Sequence, residues 1–208
     1  MIAIVSYGSG NVAAISNIYK QLRVPHVIAS TRTDIADAQA FILPGVGHFG
    51  QTMGVMRDSG LLKHLREQVM ENGKPLLGIC VGMQLLADFG EEGDCEGLGW
   101  VHGTVKRFDP VTVPGGQLPH MGWNSLTVRN DSPGMFRNVD LQTGFYFLHS
   151  FYFEGTSSQS LMAETEYGVM FASAVTNGKN VFGVQFHPEK SHANGVELLR
   201  NFARLNSC

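Results

Sequence analysis

Short apolar runs alternate with stretches of helical spacing through the first eighty residues, and that alternation leaves few folds open. Ile2–Tyr7 (IAIVSY) is a β-branched run closed by Gly8 and Gly10, and the segment after it sets Val12, Ile15, Ile18, Tyr19 and Leu22 at helical spacing. VPHVIAS reads as a second strand and AFILPG as a third, ended by Pro44 and Gly45. LLKHLREQVMENG reads as an amphipathic helix stopped by Gly73 at its C-cap. PLLGIC, Pro75–Cys80, is a fourth strand, apolar throughout, as a strand covered on both faces has to be. Such an order predicts an α/β fold: a mainly parallel sheet with helices on both sides.

From Gly97 to Phe153 the segments become short, aromatic and punctuated by Gly and Pro: VKRF, HMGWNSLTV and GFYFLHSFYF. They predict antiparallel or mixed strands with long loops, DPVTVPGGQLPH among them. The strands GVMFASAV and VFGVQF follow, joined by the turn TNGKN, and then a closing helix over 193–205 with Val196, Leu199, Phe202 and Ala203 on one face. With 208 residues, and neither a repeat nor a low-complexity linker, the expectation is a single domain, 1–208.

The charge balance narrows the partners. Net charge is −3 and no Lys/Arg cluster exceeds a pair, which argues against a surface built for nucleic-acid phosphates. The N-terminus has no basic segment followed by a long apolar run, and no stretch approaches the roughly 18 apolar residues of a membrane helix. A soluble cytoplasmic protein is expected. Three scattered cysteines (Cys80, Cys95, Cys208) make no disulfide framework, and eight dispersed histidines make no metal site.

Four stretches could carry chemistry. The first, Gly8 to Ala13, reads G-x-G-x-x-A, like a truncated dinucleotide fingerprint. No acid ends the second strand to hold a ribose, so a tight strand-to-helix turn is the better reading. The second, G-I-C-V-G at 78–82, is stronger: a nucleophile between two glycines, after a strand and before a helix, has the form of a nucleophile elbow. Gly78 and Gly82 would relieve crowding at the turn, a helix starting about Gly82 would favour thiolate at Cys80, and the Val81 N–H would meet an oxyanion. The alternative for Cys80 is plain packing, a common role of a buried thiol.

A nucleophilic thiol needs a base and something to orient it. In the third stretch, VFGVQFHPEKS, His187 stands at the end of an apolar strand and Glu189 two residues on, on the same side if the backbone is extended. The alternative for His-Pro-Glu is a surface turn. His149, inside an aromatic run with no nearby carboxylate before Glu154, suits a structural or substrate-lining role better. His48, His102 and His120 lie in loops with no distinguishing partner. The loop FILPGVGHFG, with Gly45, Gly47 and Gly50, is either a second source of oxyanion N–H groups or an ordinary loop.

Taken together, GICVGMQ, PGVG after the third strand and QFHPEKS resemble the class I (triad-type) glutamine amidotransferases. SYGSGN, LPGVGHFG, PHMGWN, YFLHSFYF and FHPEKS with GVELLRNF are similar to the branch of glutaminase subunits that serve imidazole glycerol phosphate synthases in histidine biosynthesis. The similarity runs from Met1 to the final helix. It implies a flavodoxin-like fold with a mixed, mainly parallel central sheet and a smaller antiparallel section in the middle of the chain.

The resemblance also implies roles. Cys80 would attack the side-chain amide of L-glutamine to give a γ-glutamyl thioester and ammonia, with His187 as general base and acid oriented by Glu189. Gln84 and the backbone of His149 and Ser150 would help hold the substrate. Gly45, Val46 and Gly47 match the family's oxyanion strand, in which a peptide reorients to become competent. Ammonia would pass to a separate cyclase, a (β/α)₈ barrel that forms imidazole glycerol phosphate and aminoimidazole carboxamide ribotide, so a heterodimer is expected, with no cofactor. Asn11, Met121, Trp123, Tyr146 and Lys190 lie in motifs placed near that interface. Ser6, Val81 and His48 depart from the usual Asp, Leu and small residue of the family. They leave open a paralogue feeding another acceptor, such as a surface sugar. Further readings are a cysteine peptidase or deglycase on a similar scaffold, or a non-catalytic binding subunit.

Overall fold

Five parallel strands form one half of the central sheet, and all their C-terminal ends lie along one edge. A computed structural model describes residues 1–131, 134–155 and 157–205, and Cys208 lies outside them. The early elements are β1 (Ile2–Val5), α1 (Val12–Gln21), β2 (His26–Ala29), α2 (Arg32–Asp37), β3 (Ala40–Gly45), α3 (Phe49–Asp58) and α4 (Leu62–Arg66). β4 (Leu76–Cys80) runs straight into the one-turn helix α5 (Val81–Gln84). β1, β3 and β4 are buried at every residue, as their unbroken apolar sequences require.

Local chemistry sets the helix ends. Thr31 and Asp34 form a reciprocal capping box at the start of α2, the Thr31 side chain accepting from the Asp34 N–H and the Asp34 carboxylate from the Thr31 N–H. α4 passes into a π-helical turn over Glu67–Glu71 and ends before Gly73, whose φ of 70° is the left-handed conformation expected of that glycine.

The middle of the chain supplies β5 (Phe89–Gly90), β6 (Cys95–Glu96), β7 (Thr104–Arg107), β8 (His120–Asn124), β9 (Thr127–Val128), β10 (Phe145–His149) and β11 (Phe151–Glu154). β12 (Leu161–Tyr167), β13 (Val169–Thr176), β14 (Val181–Val184) and α6 (His192–Arg204) complete it. The main sheet runs β2-β1-β3-β4-β14-β13-β11-β7-β5-β6, parallel from β2 to β14 and antiparallel from β14 to β7. The strand order reverses between β1 and β3, the place where open α/β sheets leave a crevice.

The aromatic run GFYFLHSFYF forms two strands in two sheets. Among the described residues β10 pairs only with β8, His149 opposite His120, while β11 joins the main sheet beside β7. The break falls at Ser150, where His149 turns its Nδ1 onto the Phe151 carbonyl at 2.7 Å. α6 buries Leu198, Leu199 and Phe202, with Val196 and Ala203 only half-buried at the margin of that face. Among the described residues no helix is long and apolar enough to cross a membrane.

Candidate active site

The glycines around Cys80 let three stretches of backbone touch. A methyl group on Gly82 would collide with the Leu43 carbonyl oxygen, and one on Gly45 would lie 2.5 Å from the Gly82 nitrogen. Gly78 is closed in the same way by the Gly82 carbonyl. The end of β3 therefore packs directly against the elbow. Cys80 pays for this position with φ 54° and ψ −114°, a conformation costing an L-residue about 1–3 kcal/mol. The helix that follows is a single turn beginning at Val81, one residue earlier than the glycine pattern suggests. Its contribution at the sulfur is thus its free first-turn N–H groups, Val81 among them, more than a long macrodipole.

Cys80 opens into a cavity of about 300 Å³ that it shares with Val46, Gly47, Val81, Gln84, His149, Ser150, His187 and Lys190. Nearly every residue expected at the reaction centre is therefore brought to one place; Gly45 touches the elbow from behind. The cysteine sulfur lies 4.0 Å from the Leu148 carbonyl oxygen.

His187 donates from Nδ1 to Glu189 Oε1 at 2.9 Å, and both side chains are buried. The route to this contact differs from the sequence expectation. Pro188 to Lys190 form a 3₁₀ turn, and it is the turn, with an extended His187 before it, that swings Glu189 back onto the imidazole. Backbone contacts fix the histidine: its N–H donates to the Tyr146 carbonyl at 2.9 Å, and Ser191 Oγ donates to the His187 carbonyl at 2.6 Å. Burial of the ring opposes its charge, but the Cys80 sulfur and then Glu189 outweigh burial and raise His187 from 6.5 to about 10. The site thus holds an imidazolium next to the sulfur, with a carboxylate behind it.

His149 is no base here. Its Nδ1–H is spent on Phe151, its Nε2 accepts from His120 Nδ1 at 3.0 Å, and His120 Nε2 accepts from Asn124 Nδ2 at 3.2 Å. Burial lowers His120 to about 4; burial and the neighbouring His120 lower His149 to about 3, so both are neutral. The expectation that His120, His48 and His102 lack partners is corrected. His120 begins β8 and sits among Phe147, Tyr167 and Phe171, His48 caps α3 by accepting from the Gln51 N–H, and His102 pairs with Asp88. Apart from the His48 cap and the His120–Asn124 contact, each pairing joins residues well apart in sequence, and local reading cannot see it.

The strand-end loop is held from β1's side. Tyr7 Oη donates to the Pro44 carbonyl at 2.6 Å, and Ser9 Oγ contacts both the nitrogen and the carbonyl oxygen of Val46. Gly10 has φ 93°, and a methyl there would strike Pro44. The G-x-G-x-x-A stretch is thus a packing turn against β3, as its sequence context indicates.

Met121, Trp123, Tyr146 and Lys190 share a face beside this mouth. Trp123 lies opposite Tyr146 across β8 and β10, Lys190 Nζ sits 5.7 Å from the Tyr146 ring centroid, and Met121 and Trp123 are exposed. Trp123 stacks on His192 at 5.5 Å, so it is no core residue. Asn11 is exposed at the N-cap of α1 and makes no side-chain cap.

Glu92, Pro119, Leu148 and Phe151 also line the cavity and escaped the sequence reading; Glu92 is the charged one among them. Glu92 accepts through Oε2 from the Phe49 N–H at 2.7 Å. It belongs to the turn between β5 and β6, in a stretch, GEEGDCE, with several acids and no pattern to single one out. Among the described residues no cluster of three or more His, Cys, Asp or Glu side chains could hold a metal ion.

Comparison with known proteins agrees with this geometry. The sequence model of the class I glutamine amidotransferases matches residues 4–205. The chain is 46% identical to the imidazole glycerol phosphate synthase subunit HisH of Bdellovibrio bacteriovorus, over 99% of this chain and 100% of that one. It is 43% identical to the subunit of the same name from Leptospira interrogans, with the same coverage. Among solved structures, a glutamine amidotransferase shares the fold with a TM-score of 0.73 at 20% identity, covering 100% of both chains. PurLQS from Thermotoga maritima does so with a TM-score of 0.69 at 19% identity, covering 100% of this chain and 98% of that one. With the family sequence matched almost end to end and the family fold around the cysteine, the chain belongs to the class I glutamine amidotransferases.

Proposed function

We propose that the chain is the glutaminase subunit of an imidazole glycerol phosphate synthase. The observation that carries the catalytic part is Cys80 and His187 lining one cavity, with the buried Glu189 behind the imidazole at a 2.9 Å hydrogen bond. Full-length relatives named as subunits of that synthase support the pathway.

Cys80 Sγ attacks the amide carbon of glutamine, and the oxygen takes the negative charge. The Val81 N–H and an N–H of the 45–47 strand end receive it. As the tetrahedral species collapses, the C–N bond breaks and His187 passes its proton to the departing nitrogen, releasing ammonia. Water then attacks the thioester carbon and gives its proton to His187. The C–S bond breaks with its electron pair returning to sulfur, and glutamate leaves. Glu92 places a carboxylate where it can meet the α-ammonium group of the substrate, and Gln84 and the 148–150 backbone line the rest.

Ammonia released to water is mostly protonated at neutral pH and useless as a nucleophile. A partner seated on the Met121, Trp123, Tyr146 and Lys190 face would receive it directly; this partner is the (β/α)₈ cyclase, in a cytoplasmic heterodimer. The test is the pair of Cys80→Ala and wild type with a cyclase. The variant is expected to lose glutamine-dependent synthesis and keep ammonia-dependent synthesis, and adding cyclase with its nucleotide ligand should raise wild-type glutaminase activity. Glutamine hydrolysis that persists without Cys80 would overturn the catalytic reading, and indifference to the cyclase would overturn the pathway.

A further inference from the structure

The strand β14 is apolar and buried along its length, and the residue just past its end is a glutamine with no exposed surface at all, Gln185. A buried amide is costly unless its hydrogen bonds are made, and leucine would fill similar space without that cost. The backbone of Gln185 is pinned, its N–H donating to the Ser173 carbonyl at 2.9 Å. Its side chain has two polar neighbours. Oε1 lies 3.1 Å from Gln84 Nε2, and Nε2 lies 3.8 Å from Cys80 Sγ.

Which end of an amide faces which neighbour has to be decided from groups that cannot change role. The Phe151 carbonyl can only accept, and it receives both His149 Nδ1 at 2.7 Å and Gln84 Nε2 at 3.1 Å. Gln84 must therefore present its NH₂ group there, and the second proton of that group meets Gln185. Gln185 must answer with its oxygen. Its own NH₂ is left directed at the sulfur. His149 is fixed in turn by His120 and Asn124, so every donor in the chain from Asn124 to Cys80 has one assignment.

We propose that Gln185 is a further catalytic residue of this site, donating an amide N–H to the Cys80 sulfur whenever that sulfur carries negative charge. The assignment rests on the glutaminase reading above. Charge sits on sulfur twice in that reaction: before attack, and again when the thioester breaks and the electron pair returns. A buried donor aimed at the sulfur stabilises both states, and it does so without touching glutamine. Its loss therefore affects turnover more than substrate affinity.

The experiment uses the complex with the cyclase and compares wild type, Gln185→Met and Gln185→Glu, with Cys80→Ala as the background for the other cysteines. Methionine keeps the length and removes the donor, and glutamate puts a like charge at the sulfur. Alkylation of Cys80 by iodoacetamide is followed against pH. The expected midpoint moves up by about one unit in Gln185→Met and further in Gln185→Glu, since a hydrogen bond to the charged form favours that form and a like charge opposes it. Glutaminase kcat is expected to fall about tenfold in Gln185→Met with no rise in KM. A residue that only packs would lower thermal stability and leave the alkylation profile alone.

A measurement on the unaltered site covers the case in which a variant does not fold. The side-chain ¹⁵N resonance of Gln185 in the wild-type complex should shift along the same pH curve as alkylation, and stay flat in Cys80→Ala. An unshifted profile in a folded Gln185→Met, or a flat wild-type resonance, overturns the proposal while wild-type glutaminase activity stands. Absence of Cys80-dependent glutaminase activity in the wild type would instead remove the reading beneath it.

Discussion

Ser9 brackets the backbone of Val46: its Oγ accepts from the Val46 N–H and donates to the Val46 carbonyl, each at 3.0 Å. An N–H engaged by a hydroxyl is not free to receive a substrate oxyanion. The Val46 backbone is thus restrained in this structure, and for the 45–47 strand end to serve as the proposed oxyanion hole the Ser9 contact would have to open. Ser9→Ala removes it at little cost to the fold, because the contact is exposed. The expected outcome is a several-fold rise in glutamine hydrolysis by the chain alone, measured as glutamate released. An unchanged rate would show that the contact does not restrain the site.

The sheet was legible because its parallel strands are unbroken apolar runs, and the elbow because glycine at 78 and 82 has a steric reason that any such turn shares. His187 and Glu189 were legible as a pair, though by an incorrect local path, since a 3₁₀ turn rather than an extended segment joins them. Contacts between distant segments were not legible. Nothing local links His120 to His149, Ser9 to Val46, or Glu92 to the mouth of the cavity. The break at Ser150 was hidden as well, because β10 and β11 are equally aromatic and only the sheet they join distinguishes them.

Gly82→Ala tests the close approach directly. The added methyl has the Leu43 carbonyl in its place, and neither backbone can retreat without moving β3 or the elbow. A loss of about 3 kcal/mol or more is expected, large for an added methyl, together with loss of glutaminase activity. Urea unfolding measures the first. A variant as stable as wild type would mean that the elbow moves more easily than its packing implies.

Glu92→Gln keeps an oxygen to accept from the Phe49 N–H, so α3 should retain its cap. What it removes is the charge facing the cavity. KM for glutamine is expected to rise about tenfold with kcat little changed, the cost of losing one charge-assisted contact. A glutamine analogue lacking the α-amino group should be used equally poorly by both proteins. If the variant discriminates between the two as wild type does, Glu92 serves only the helix.

Three histidines give stability a definite pH profile. In the unfolded chain each titrates near 6.5, whereas in the fold His120 and His149 take up a proton only at about 4 and about 3. The unfolded state binds more protons in that interval, so stability is full above pH 6.5 and falls as pH drops towards 3. His187 has the opposite sign. Its folded value is raised to about 10, so its contribution is whole below 6.5 and is lost as pH rises to about 10. Stability should peak near neutrality. His120→Phe keeps the aromatic stacking and is expected to flatten the acid limb, read as the urea midpoint against pH, while the alkaline limb stays. An acid limb as steep as wild type would assign it to His149 or to carboxylates instead.

The Met121, Trp123, Tyr146 and Lys190 face can be followed with its own chromophore. The chain has two tryptophans, Trp100 buried and Trp123 44% exposed, so long-wavelength emission reports almost entirely on Trp123. Seating a cyclase on this face would take the indole out of water and shift its emission to the blue. Trp123→Ala should abolish that signal and weaken association tenfold or more, as loss of a central aromatic anchor does. Cys80→Ala should bind as wild type does, because Cys80 is buried in the cavity and off the face. Ammonia-dependent synthesis should survive Trp123→Ala once the cyclase is saturating, since that reaction needs no delivery from Cys80. Association of wild-type strength in Trp123→Ala would move the interface elsewhere on the chain.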